Sequence, residues 1–352
     1  MGQVNGGVVT EAGDVCWLRS DVALAAAARR HAGQLARGIC LSEERVSRVE
    51  LCVTEMATNL LKHTRDGSLA LRVVRFGGRA AVECLSLDSG PGIEDVPLAL
   101  RDGTSAVGTL GIGMGAIGRL ADVSGIHSLR GRGTVLYARF HAEDTTPEPD
   151  ARVAAVDTGG LTRPISGEQV CGDTWAVRTM GGAGDDRLLL MMCDGLGHGP
   201  LAARVADRAR EAFRESRRPG PSGVLEDVHA GLRGTRGAAV AIALVEPAQR
   251  RVRLSGVGNI SALVTVAASR TALLSMPGIV GAHLPRLRTF DAEFPPGAAL
   301  VLHSDGVSDR WKPGDFPGLF GQGPTLVAAQ ILNQAAVRRD DAGIVVAAHR
   351  RA

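Results

Sequence analysis

The second half of this chain repeats one arrangement, an acid at the end of an apolar strand, and that repetition limits what it can fold into. Leu188–Cys193 is an apolar run that reads as a buried strand. It ends in Asp194, with glycines at 195, 197 and 199 and a helical pattern from Leu201. The same chemistry recurs at Cys171-Gly172-Asp173-Thr174-Trp175, at Leu300-Val301-Leu302-His303-Ser304-Asp305-Gly306, and where Arg339-Asp340-Asp341 runs into the apolar stretch Ile344–Ala348. A lone Asp-Gly marks a turn. Four strand ends that each carry an acid instead form a donor set for hard divalent cations, which take oxygen ligands and keep several waters. Paired metals of this kind activate a bound water.

On those residues, together with Arg236-Gly237-Ala238 and Ser255-Gly256-Val257-Gly258-Asn259, residues 161–349 resemble the metal-dependent PPM-type serine/threonine phosphatases. The resemblance lies in their bacterial SpoIIE-like branch and is greatest to the small stressosome phosphatase. It implies an αββα sandwich with two Mg²⁺ or Mn²⁺ ions. Carried over residue by residue, it makes Asp173, Asp194, the Gly195 carbonyl, Asp305 and Asp340 the metal positions, the four acids being the catalytic set. Asp341 adjoins that centre, at a position that is Asn in many relatives.

The first half reads differently. Residues 22–37 are Ala-rich with Arg29, Arg30 and His31 on the polar side, which predicts a helix. Ser42 is a fitting N-cap for a second helix, whose stripe is Val46, Val49, Val53, Met56 and Leu60. Glu55 and Asn59 lie four apart and so share a face beside that stripe. Alternating strands at 68–76 and 79–87 lead to Asp88-Ser89-Gly90-Pro91-Gly92. A strand-end Asp can accept from an adenine amino group while glycines admit the ring. Gly103, Gly108, Gly111, Gly113 and Gly115 then run into a helix at Met114–Ala121, and glycine-rich backbone at a helix start suits phosphate. The order of elements is neither that of a P-loop nor that of a Rossmann fingerprint.

In this order the motifs resemble the GHKL (Bergerat) ATP-binding fold, as in the single-domain serine kinases of anti-sigma and stressosome switches. The resemblance implies ATP with Mg²⁺. Glu55 would be the general base, Asn59 the Mg²⁺ ligand and Asp88 the adenine reader. Gly90 and Gly92 would line the purine, Gly108, Gly111, Gly113 and Gly115 would form the lid backbone, and Thr134 would face the nucleotide. No phosphoacceptor histidine helix precedes the domain, which argues against an autophosphorylating histidine kinase.

The expected fold class is therefore α+β. Residues 1–140 form a GHKL α/β sandwich, 141–158 a linker region that begins with a polar, Pro-containing stretch, and 159–352 a PPM-type αββα sandwich. With 40 basic and 37 acidic residues the charge is balanced, which argues against nucleic acid as a partner. No apolar run reaches spanning length and no leader opens the chain, so a cytoplasmic protein without a membrane partner is expected. The six cysteines show no metal spacing and read as reduced core residues. The resemblances imply a bifunctional protein that phosphorylates and dephosphorylates Ser or Thr of STAS-domain anti-sigma-antagonist or stressosome-type partners. A phosphatase governed by a non-catalytic ATP- or partner-binding GHKL module is the alternative. A GHKL ATPase acting on DNA is the more remote one.

Overall fold

The computed structural model describes residues 9–12, 14–64, 66–76, 79–100, 114–142, 155–180, 186–337 and 339–351. Two compact units emerge, Ala12–Glu148 and a second made of Met1–Glu11 with Pro149–Ala352. Val9–Glu11 group with the second unit, where the strand Val9–Ala12 (β1) pairs antiparallel, Val9 opposite Arg178 and Thr10 opposite Val177.

In the N-terminal unit the described strands are β2 (Cys16–Arg19), β3 (Gly67–Phe76), β4 (Arg79–Asp88), β5 (Val123–Leu129) and β6 (Gly133–His141), in the order β2-β3-β4-β6-β5. Helices α1 (Leu24–Gly38), α2 (Glu43–His63) and, after the short α3 (Val96–Ala99), α4 (Met114–Leu120) complete it. The expected stripe of α2 is buried at each of its five positions, against Leu69, Leu71, Val82 and Cys84 of the sheet. Ser42 accepts from the Arg45 N–H, and Glu43 and Glu44 sit in the first turn, where the helix dipole favours negative charge. The opposite face of the sheet carries Arg72, Glu83 and Arg139, paired across β3, β4 and β6. Glu83 is fully buried, bonded to the Tyr137 hydroxyl at 2.7 Å and to both arginines.

The C-terminal unit has two sheets. The first runs β14 (Phe290–Glu293), β11 (Arg251–Val257), β10 (Ala238–Glu246), β9 (Leu188–Gly195) and β8 (Asp173–Thr179), with β1 on the β8 edge. The second runs β13 (Ser269–Leu273), β12 (Ser261–Val266), β15 (Ala299–His303), β16 (Ala342–His349) and β7 (Val156–Arg163). Helices α5 (Gly199–Glu215) and α6 (Pro221–Leu232) pack on the first sheet, α7 (Pro324–Ala335) packs on the second, and β8 and β9 meet β16 between them. This is the αββα sandwich. The near-continuous apolar runs of β9 and β10 follow from it, since both faces of those strands are covered.

All six cysteines are free. Cys40 departs from the expected core placement: it lies exposed in the turn after α1, in the left-handed region at φ 60. Among the described residues no helix is long and apolar enough to cross a membrane.

Candidate metal centre and nucleotide site

Asp173 opens β8 and Asp194 lies near the end of β9, and antiparallel pairing sets them directly opposite each other. In the second sheet β15 ends just before Ser304-Asp305, and its neighbour β16 begins just after Asp340-Asp341. Stacking the sheets brings these ends together. Ser304 Oγ crosses between them, donating to Asp173 Oδ2 at 2.6 Å and accepting from the Gly343 N–H at 2.9 Å. Asp305 Oδ2 accepts from Asn259 Nδ2 at 2.6 Å. The Gly195 N–H donates to the Gly172 carbonyl at 3.1 Å, which fixes the backbone beside Asp194.

The four acids form a gradient from inside to outside. Asp173 is buried, Asp194 half-buried, and Asp305 and Asp340 exposed. Burial pushes the Asp173 carboxyl well above the usual carboxylate range, and Asp194, Asp341 and Asp305 push the same way against the Ser304 hydrogen bond. Asp194 is pushed up to about 7 by burial and by Asp305 and Asp340. Asp305 is raised by burial and by Asp340. Asp173 Oδ1 is buried with no hydrogen-bond partner. Among the described residues no basic side chain offsets these carboxylates, and with an orphaned inner oxygen they make a site short of positive charge. Among the described residues no three such side chains already close round one point as a finished cage.

In the N-terminal unit Glu55 and Asn59 project from α2, Glu55 buried and Asn59 half-buried. Asn59 Nδ2 is buried without a partner. Asp88 ends β4, and its Oδ1 accepts from the Gly90 N–H at 2.7 Å; burial raises its carboxyl. A side chain on Gly133, at φ 103, would run into the Asp88 carbonyl oxygen, so the chain turns into β6 tightly against the strand-end acid. Gly92 lies at φ 72 against the Leu129 carbonyl. Thr134 Oγ1 lies 2.8 Å from Ser128 Oγ, which accepts from the Ile93 N–H at 2.7 Å, so Thr134 helps hold the Asp88–Ile93 turn. Gly115 lies in α4, whereas Gly108, Gly111 and Gly113 lie outside the described residues. The unpartnered Asn59 Nδ2 is a donor that suits an acceptor oxygen such as one of a phosphate, and the close backbones around Asp88 suit a flat polar ring.

Sequence reasoning gave no role to Ser304, Asn259, Ser128, or to Glu168, whose Oε1 lies 3.1 Å from His198 Nδ1. The partners of Ser304, Asn259 and Glu168 are distant in the chain, as is Ile93 from Ser128, and only the motif neighbours of Ser304 and Asn259 marked them.

Two family models match the chain. The histidine kinase-like ATPase domain matches residues 18–140, and stage II sporulation protein E (SpoIIE) matches residues 184–346. The serine/threonine-protein kinase RsbT of Bacillus subtilis (strain 168) is 29% identical over 112 residues, 32% of this chain and 84% of the kinase. The phosphoserine phosphatase RsbX of the same organism is 22% identical over 143 residues, 40% of this chain and 70% of the phosphatase. A chain solved as part of "The bacterial stressosome: a modular system that has been adapted to control secondary messenger signaling" is 31% identical, with TM-score 0.50, covering 55% of this chain and 98% of that one.

Proposed function

Since this chain belongs by its first half to the histidine kinase-like ATPase domains and by its second to the SpoIIE-type PPM phosphatases, we propose that it is bifunctional. It phosphorylates and dephosphorylates Ser or Thr of a STAS-domain partner of the anti-sigma-antagonist or stressosome type. It thereby sets a stress or sigma-factor response. The observation that carries the phosphatase reading is the pairing of Asp173 with Asp194 beside an unpartnered carboxylate oxygen. The kinase reading rests on Glu55, Asn59 and Asp88 and on the likeness to a serine/threonine-protein kinase.

In the phosphatase unit Asp173, Asp194, Asp305, Asp340 and the Gly195 carbonyl would hold two Mg²⁺ or Mn²⁺ ions. Bound there, such ions supply a water of lowered pKa and draw charge from phosphoryl oxygens. The protein's own residues prepare the place. Ser304 holds Asp173 in one orientation, and Asn259 does the same for Asp305. Hydrolysis then forms a P–O bond to water as the P–O bond to serine breaks, and the serine oxygen leaves with a proton.

In the kinase unit Asp88 would accept from the adenine amino group and Asn59 would hold Mg²⁺. Glu55 would take the proton of the protein hydroxyl as the γ-phosphoryl moves onto its oxygen and ADP departs. Placement and charge neutralisation do most of this work.

The test is transfer of labelled phosphoryl from ATP to a STAS-domain anti-sigma antagonist, followed by its release. Glu55→Ala should leave the partner unlabelled, and Asp194→Asn or Asp305→Asn should leave it fully labelled with the fold intact. Hydrolysis persisting in either Asn variant sinks the phosphatase site. A wild type that binds ATP without labelling any partner leaves the N-terminal unit as a regulatory module.

A further inference from the structure

Asp341 follows Asp340 directly, yet its surroundings are of another kind. It is 3% exposed, and both its carboxylate oxygens are taken by backbone. Oδ1 accepts from the Ile165 N–H and Oδ2 from the Gly172 N–H, each at 2.7 Å. Its own N–H donates to Asp340 Oδ1 at 2.9 Å. A Cβ on Gly172 would stand 2.9 Å from Asp341 Oδ2, and a side chain on Gly306 would run into the Asp341 carbonyl oxygen. One residue therefore touches the glycine before Asp173, the glycine after Asp305, and Asp340 itself.

We propose that Asp341 is a positioning residue, a two-pronged brace that ties the 165–172 segment to the start of β16 and fixes where Asp173 and Asp340 stand, without itself binding a cation. The proposal rests on the reading that the neighbouring acids hold divalent cations. Two backbone dipoles already balance the Asp341 charge and occupy an oxygen each, whereas Asp173 keeps an oxygen free. An amide at 341 has one acceptor oxygen, and its NH₂ end would confront a second backbone donor, so Asn can hold only one prong. The braced segment also carries Glu168, the partner of His198 on the turn after Asp194. The brace thus shapes the Asp173 and Asp194 flanks together. Supporting residues of this kind govern ligand orientation and so metal affinity.

The experiment uses the full chain with Mn²⁺ as probe, counting bound ions by calorimetry and following the amides of Ile165 and Gly172 by hydrogen exchange. Asp341→Asn should bind as many ions as the wild type but about tenfold or more weakly, with faster exchange at one of the two amides. Asp194→Asn, the ligand control, should lose an ion. Loss of an ion in Asp341→Asn makes it a ligand and overturns the proposal, as does unchanged affinity. Should Asp341→Asn not stay folded, the wild type in chelator decides. Both amides protected like their flanking strands is the expected result, and exchange at open-loop rates overturns it. A wild type that takes up no Mn²⁺ refutes the metal reading instead, and the exchange measurement still tests the brace.

Discussion

Asp173 and Asp194 stand opposite each other on adjacent antiparallel strands, each with its carboxyl pushed upward by burial and by its acidic neighbours. Among the described residues no opposite charge offsets either acid, so the protein without cations stores repulsion at the site where its chemistry would occur. That arrangement ties the site to pH.

In chelator, the folded protein should lose stability as pH rises. A carboxyl whose folded pKa is raised holds its proton longer in the folded than in the unfolded chain. Its contribution is fully present below the unfolded value of about 4 and is lost as pH rises through the folded value. For Asp194 that window closes at about 7. Melting temperatures in chelator should fall from pH 5 to pH 7.5, and Mn²⁺ should restore them most at the upper end. A flat profile in chelator would contradict the burial of these acids.

Ser304→Ala removes the hydroxyl that donates to Asp173 and accepts from Gly343. It should cost about 1–3 kcal/mol of stability, because a buried donor and acceptor lose their partner. It should also weaken Mn²⁺ binding by about tenfold. Chemical denaturation and calorimetry measure the two separately, and a variant indistinguishable from wild type in both would show that Asp173 orients itself.

At the nucleotide site Asp88→Asn should weaken ATP binding, since the amide is a poorer acceptor for the adenine amino group. Asn59→Ala should abolish Mg²⁺-dependent turnover and affect nucleotide binding less. Calorimetry with ATP, with and without Mg²⁺, separates the two. Equal ATP affinity in wild type and Asp88→Asn removes Asp88 from its proposed role.

Glu83 lies fully buried; burial alone would raise its carboxyl, but Arg72, Arg139 and the Tyr137 hydroxyl outweigh burial and hold it at about 2. Its contribution is present above the unfolded value of about 4.5 and is lost as pH falls towards 2. Glu83→Gln removes the buried carboxylate charge that pairs with both Arg72 and Arg139 and should cost roughly 3–5 kcal/mol. Acid unfolding of the N-terminal unit, followed through amide exchange in β3 and β4, should lose its step between pH 4.5 and 2 in the variant.

Much of this molecule is readable from local pattern. The α2 stripe shows as spacings of three and four, and Asp194 and Asp305 show because an apolar run breaks at Asp-Gly. What local pattern hides are contacts between residues far apart in the chain. Ser304 meets Asp173 only because two sheets stack, and no periodicity connects residues 131 apart. Arg72 and Glu83 occupy the polar positions of alternating strands, which in isolation suggest a solvent face. Burial makes them a paired set instead. Asp341 looks like a fifth acid of the series, and only its two backbone donors set it apart.

The short strand Val9–Ala12 bears on how the chain can be divided. A fragment starting at residue 149 would contain every acid of the proposed metal centre and still lack the segment that pairs with Val177 and Arg178. The outer side of Asp173–Thr179 would then offer open backbone donors and acceptors, the kind of edge that recruits strands from other molecules. Such a fragment should self-associate, and a synthetic peptide of residues 1–12 added in trans should suppress this by strand addition.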